Sequence, residues 1–447
     1  MRITKLSLPY FVVVLLLAGV NSPANAGIPP RQSAFYVASH GNDANPGTMA
    51  LPWKTLKPVN EHTFVPGDTV LFARGSRFTG GLLISGSGTQ EKPITFTAYG
   101  RGPAPSFTRL DYTTLNGNMI QIRGSYIVID GLYFHDGVPA NPGKKVGARK
   151  VGAVYVTLGA DHNIVKNCEF ENCPVAVQVY GQDCLITQND IHDCNMFLSY
   201  PYWGPVGIMV ATSNHEISYN RIINYFAKGG AFGADGGAIE IDNREYANDN
   251  IEIHHNYSVG NEGFLEIIGE TPSTNNIQVS YNVSDDYQQF VFFWSGTNCM
   301  VDNNTVLCLK PSNSRVRVVF SFAEEGGVTV RNNIFVLANG LQVFAGDSVY
   351  NANKWEQPHY NNLYYVVDGS QENPCGKPLG KGEMVADPLF FDLKNRNLHL
   401  RAGSPAVDAG VEVGHSLDFN DKPVPVGAAP DLGAFEYQKW HWRTQKD

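Results

Sequence analysis

Charge is scarce in this chain: only 17% of its 447 residues are Asp, Glu, Lys or Arg, and the formal net charge is −9. No cluster of Lys and Arg stands out along the sequence. Neutralising phosphates needs concentrated basic residues, so nucleic acid is not an expected partner. A strongly polyanionic glycan is disfavoured less firmly, because a local basic groove can hide inside an acidic total. Long stretches with 3.6-residue apolar periodicity are missing, which argues against a helical protein. CxxC and Cys/His zinc spacings are missing too, so no metal bound through cysteine is expected. The cysteines, at 168, 173, 184, 194, 299, 308 and 375, number seven, so at least one stays unpaired within a monomer. Small buried thiols are the default reading, with a Cys173 to Cys194 bridge as the alternative that an oxidising compartment allows.

After the N-terminus, no apolar run approaches the ~20 residues that a membrane helix needs, so no membrane span is expected. At the start, Arg2 and Lys5 precede a short apolar run over residues 11–20, which leads to Ala24-Asn25-Ala26. This is the pattern of a secretory signal peptide over residues 1–26. The expected protein is secreted or periplasmic, begins near Gly27, and carries about −11, since removing Arg2 and Lys5 from −9 takes away two positive charges.

Glycine (45 residues), asparagine, valine and isoleucine are abundant, an all-β composition. A loose motif recurs in which alternating apolar residues lead to an asparagine, as in Ile217-Ser218-Tyr219-Asn220, Ile253-His254-His255-Asn256 and Val279-Ser280-Tyr281-Asn282. The asparagines fall at 167, 189, 220, 256, 282, 304, 333 and 362, at intervals of 22 to 36 residues. Such uneven intervals suit stacked coils with loops of varying length. One coil cannot bury its apolar face alone, whereas stacking pairs each strand with its copies above and below. An asparagine repeated at one turn tolerates left-handed backbone angles and can bond to its stacked neighbour.

The expected fold is therefore all-β, a right-handed parallel β-helix of about a dozen coils over residues 71–400, with a cap segment at 27–70 and another at 401–447. The rival, a β-propeller, needs four-stranded blades of about 40 to 50 residues with sharper internal similarity. A monomer is expected.

Near the N-terminus stand Gly41-Asn42-Asp43, Asn45-Pro46-Gly47-Thr48, Pro52-Trp53-Lys54-Thr55-Leu56 and Pro66-Gly67-Asp68-Thr69-Val70. Near the C-terminus stand Gly403-Ser404-Pro405-Ala406-Val407-Asp408-Ala409-Gly410 and Pro430-Asp431-Leu432-Gly433-Ala434-Phe435-Glu436-Tyr437. These strings resemble the opening and closing segments of bacterial pectate-lyase-like β-helix proteins that act on polysaccharides. The resemblance implies the architecture, but hydrolases, lyases, epimerases and binding proteins share it.

Two coils aligned by their asparagines place Ala238-Ile239-Glu240-Ile241-Asp242 beside Phe264-Leu265-Glu266-Ile267-Ile268, an offset of 26 residues that matches the step from Asn256 to Asn282. Alternation then buries Ile239, Ile241, Leu265 and Ile267 and sends Glu240, Asp242 and Glu266 out of one exposed face. Glu240 and Glu266 would stack at ~5 Å, close enough for repulsion to hold one carboxyl protonated. That spacing suits a retaining glycosidase, whereas Glu240 and Asp242 on one strand lie ~6.6 Å apart, in the inverting range. Both pairs stay open, as does a solvated strand that holds a cation.

The run Gly237-Ala238-Ile239-Glu240-Ile241-Asp242, Ile253-His254-His255-Asn256 and Gly263-Phe264-Leu265-Glu266-Ile267-Ile268-Gly269 is similar to the active-site coils of β-helical glycoside hydrolases of the β-xylosidase and fucosidase type. The resemblance implies Glu240 as nucleophile and Glu266 as acid/base. The sequence has glutamate where those enzymes favour aspartate, and lacks their His-Gly after the second carboxylate, which leaves Asp242 as a possible partner.

Sugar rings stack on aromatic side chains, and Tyr202, Trp203 and Trp294 flank the acids in sequence as candidate substrate contacts. Lys228 and Arg244 complete that set. The glycine-rich stretch 225–237 reads as a lid or subsite wall. The leading expectation is a glycoside hydrolase acting on a polysaccharide or oligosaccharide and needing no cofactor. Two alternatives stand. One is a uronate-directed lyase or epimerase, with Lys228, Arg221 or Arg244 taking the proton, often beside calcium. The other is a glycan-binding solenoid without activity. His254 and His255 read as structural histidines on another face of the coil.

Overall fold

A computed structural model describes residues 31–109, 115–138, 151–197, 204–229, 233–242, 245–268, 273–310, 320–322, 327–344 and 356–439. The expected signal peptide lies outside the described residues.

Three long parallel sheets run side by side along the chain. The first has twelve strands, from Ala34–Val37 to His359–Tyr360, and the second has twelve, from Arg77–Thr79 to Met384–Val385. The third has nine, from Leu82–Ile84 to Phe320–Phe322. Successive turns of chain add one strand to each sheet, which is a parallel β-helix. The segment expected as the opening cap supplies the first strand, since Ala34 pairs with Thr69.

Alternation within each strand builds the core. In the first sheet Phe96, Ile129, Val165, Ile186, Ile217, Ile253, Val279, Val301 and Val330 follow one another in register and are buried. In the third sheet Val177, Ile208, Ile239, Leu265 and Val291 form one inward column and Val179, Val210, Ile241, Ile267 and Phe293 another. Each buried column removes apolar area from water at roughly 25 cal/mol per Å².

The asparagine repeat forms a buried ladder. The side-chain Nδ2 of Asn189 donates to Asn220 Oδ1 at 2.9 Å, and the chain continues through Asn256, Asn282, Asn304, Asn333 and Asn362 at 2.9 to 3.0 Å per step. Asn362 ends it by donating to Glu383 Oε1 at 2.7 Å. Glu383 also accepts from Tyr364 Oη and the Gly380 amide, and lies beside His359 and Cys375.

Two details differ from the sequence reading. The left-handed angle belongs to the residue before each ladder asparagine: Tyr219, His255, Tyr281, Asn303, Asn332 and Asn361 all have φ between 50° and 57°. The ladder needs a side chain pointing inward, and the strain of the corner falls on its outer neighbour. Asn167 is such a corner residue, with φ 52°, and the ladder position of that coil is Cys168, whose amide donates to Asn189 Oδ1 at 3.0 Å. All seven cysteines are free and buried, so Cys173 and Cys194 form no bridge.

The cap motifs have physical roles. Asp43 accepts from the amides of Lys54 and Thr55, and Trp53 donates its indole N–H to Asn45 O at 2.9 Å while stacking on Phe35. At the other end, Asp418, Asp431 and Glu436 are buried and accept backbone N–H groups of the same segment. Leu432, Ala434 and Phe435 pack over Leu307, Ile334 and Leu363 of the second sheet. His255 sits beneath this segment, its Nε2 2.9 Å from Asp418 O, which accounts for its burial as a structural residue.

Candidate functional site

The outward column of the third sheet reads Gln121, Tyr155, Gln178, Met209, Glu240, Glu266 and Phe292. Glu240 lies directly across from Glu266 in the register of Gly237–Asp242 with Gly263–Ile268. Adjacent strands are ~4.8 Å apart, so the two side chains leave the sheet side by side. Asp242 leaves the same face two residues on, opposite Ile268.

The face is not exposed as expected. Glu240 is only 6% exposed, and Glu266 and Asp242 are half-buried. Met209 and Phe292, both buried, close the column at either end of the pair. A side-chain carbon added at Gly237 would stand 3.6 Å from Glu240 Oε1, so the carboxyl folds back over a strand face that glycine leaves bare.

Burial and mutual repulsion govern the protons. Burial raises the Glu240 carboxyl well above its ordinary value, and Glu266, Asp242 and Asp235 add to the rise. Burial likewise pushes Glu266 up to about 8, with Asp235 and Asp242 contributing. The pair therefore holds at least one proton at neutral pH, and Glu240, being deeper, keeps it longer.

Asp235 is a fourth acid of the site that the sequence reading passed over. It ends Gly233–Asp235, the return strand of an antiparallel hairpin with Ala227–Gly229, and burial raises its carboxyl against the hydrogen bond from the Gly236 amide. It is the one acid in the stretch 225–237, which was the available signal.

A sequence profile described as chondroitinase B matches residues 55–370. The chain belongs to the chondroitinase B family. As a member of that family it is a carbohydrate-active β-helix enzyme. No curated protein matches it. Among solved structures, XylC in complex with xylose is similar at a TM-score of 0.56 and 12% identity, covering 91% of this chain and 99% of that one. Pectate lyase Pel9A is similar at 0.51 and 16%, covering 91% and 96%. A glycoside hydrolase is similar at 0.51 and 10%, covering 83% and 99%. At such identities these likenesses show the fold alone.

The remaining candidates of this chondroitinase B family member fall in different places. Trp294 follows the strand of Phe292, its amide bonded to Ile267 O at 2.9 Å, and continues the column of Asp242. Lys228 is exposed and lies opposite Ala234 in the hairpin, one residue from Asp235. Arg221 does not reach the site. It lies in the second sheet, ion-paired with Asp190 at 2.6 Å, because the corner at Tyr219 has already turned the chain. Tyr202, Trp203 and Arg244 lie outside the described residues. A cavity of 260 Å³ lined by Asp193, Asn224, Phe226 and Tyr287 contains none of the four acids.

Proposed function

We propose that the chain is a secreted glycoside hydrolase in which Glu240 and Glu266 do the chemistry. The observation that carries this reading is their direct pairing across adjacent strands. A carboxyl separation near 5 Å is that of a retaining glycosidase, where one group gives a proton to the leaving oxygen and the other attacks the anomeric carbon. The deeper Glu240 is the proton donor, because burial and three neighbouring acids favour its neutral form. Glu266, less buried, ionises first and serves as nucleophile. This assignment reverses the one that the β-xylosidase and fucosidase resemblance implies. Asp242 and Asp235 tune both groups by repulsion. No cofactor is needed for this chemistry. Mass spectrometry of products from a glycan panel tests the reading: each cleavage must add one water.

The family match favours a second reading, a lyase that cleaves a uronate glycan by elimination. Lys228 is the described cation nearest in sequence to the acids. Cleavage without gain of water, leaving an unsaturated product, would establish that reading instead.

A further inference from the structure

Where the three sheets run out, their last segments bring three ligand-type side chains together. His359 opens the final strand of the first sheet, and Glu383 directly precedes Met384–Val385, the final strand of the second. Cys375 arrives from the side of the third sheet, where the amides of Val343 and Phe344 donate to Pro374 O and Cys375 O at 2.9 Å. The imidazole Nδ1, the thiol Sγ and a carboxylate oxygen of these residues all lie within 4.8 Å of one another. A tetrahedral zinc ion with bonds of about 2.0 to 2.3 Å sits among donors spaced roughly 3.3 to 3.8 Å, so small side-chain shifts suffice to hold it.

The cluster is buried and oriented. The Glu383 side chain is fully buried, that of His359 nearly so, and Cys375 is buried. Asn362 Nδ2 and Tyr364 Oη both donate to Glu383 Oε1 at 2.7 Å, which turns Oε2 towards His359 Nδ1 at 2.9 Å. Outer bonds of this kind fix a ligand carboxylate in place. Tyr364 Oη also lies within hydrogen-bonding reach of the Cys375 thiol, so a fourth donor borders the same space. The Gly380 amide donates to Glu383 Oε2 at 2.7 Å, and a Cβ at Gly380 would collide with His359 O, so glycine lets the loop close over the imidazole.

Charge supplies the reason for a cation. Burial opposes charge on Glu383, yet bonds from His359, Asn362, Tyr364 and the Gly380 amide bring its carboxyl below the usual value. An anion thus stands at the buried end of a ladder of neutral amides. A divalent cation balanced by this carboxylate and by a Cys375 thiolate is neutral as a whole, and the thiol proton leaves to solvent on binding. Thiolate and imidazole select zinc over calcium or magnesium, which take oxygen ligands. Cys168, Cys173, Cys184 and Cys299 are placed differently, each with its sulfur against the backbone carbonyl two residues earlier.

We infer that His359, Cys375 and Glu383, with Tyr364 beside them, form a structural zinc site that closes the C-terminal end of the coil. The ligands stand 16 and then 8 residues apart, a spacing outside the zinc motifs, so the expectation of no metal bound through cysteine is revised by what the fold assembles. Cys375 lies four strand steps beyond Glu266, about 19 Å at the usual spacing. The zinc therefore takes no part in the chemistry of the acids, and the inference stands whether they hydrolyse or eliminate.

Elemental analysis of purified full-length protein made in zinc-supplemented medium is expected to give about one zinc per chain. Cys375→Ser and His359→Gln, each checked for native circular dichroism, should keep less than about a tenth of that. Chelator-treated wild type should melt at a lower temperature and recover on adding one equivalent of zinc. Cobalt(II) added to the chelated protein should give a thiolate-to-cobalt charge-transfer band that zinc abolishes. Wild-type protein that carries no zinc and gives no such band overturns the inference and leaves the contact of His359 with Glu383 as the closure. Zinc retained by folded Cys375→Ser also overturns it, because the metal then lies elsewhere. Should both variants fail to fold, the cobalt band of the wild type decides.

Discussion

Glu240 faces Glu266 across one strand spacing, and both carboxyls favour their neutral forms at neutral pH because burial and neighbouring acids oppose negative charge there. In water such a pair would ionise fully. Here the fold supplies a neutral donor and an ionisable partner side by side.

Replacing either group by its amide keeps the volume and removes the chemistry. Glu240→Gln and Glu266→Gln are each expected to lower kcat by about a thousandfold or more, with melting temperatures no lower than wild type. Steady-state rates on a cleavable glycan and thermal melts check this, and full activity in both variants would exclude the pair as the active site.

The spacing also sets the stereochemistry. The released sugar should first appear with the anomeric configuration of the bond that was cut, as followed by proton NMR in the first minutes of reaction. Inversion, together with a larger loss in Asp242→Asn than in Glu266→Gln, would move the working pair to Glu240 and Asp242.

Stability should fall as pH rises. In the unfolded chain a glutamate releases its proton above about 4.5, whereas folded Glu266 holds its proton up to about 8. Between those values the folded state binds more protons at Glu266 than the unfolded one, so the contribution of Glu266 to stability declines with pH and levels off above 8. Melting temperature measured from pH 5 to 8 should drop for wild type and drop less for Glu266→Gln. Equal slopes would show that Glu266 is not held neutral.

The ladder is open to the same kind of check. Asn256 makes four side-chain bonds, to the Asn220 amide, Asn220 Nδ2, Ile217 O and Asn282 Oδ1, at 2.8 to 3.0 Å. Asn256→Ala strands buried groups on both sides and should cost about 3 kcal/mol by denaturant unfolding. A loss below about 1 kcal/mol would mean that stacking of the coils, and not the ladder, holds the corner.

Much of this could be read from residue order alone. The 26-residue offset between Glu240 and Glu266 equals that between Asn256 and Asn282, and in a parallel stack equal offsets place residues in one register. Alternation then fixed which side chains turn inward, since a strand's period of two is a local property. Composition announced the β-structure in the same way.

Other features depended on chain segments that meet only in the folded protein. The acid pair is flanked by Met209, 31 residues before Glu240, and by Phe292, 26 residues after Glu266, and no local pattern reports how much water these buried neighbours exclude. Asp235 reaches the pair because a hairpin folds back, and Arg221 misses it because a left-handed corner turns the chain before the site strand begins. Sequence determined the register of the stack, because strand period and repeat offset are properties of neighbouring residues. Tertiary structure decided the protonation and the company of the acids, because burial and repulsion are sums over everything packed around them.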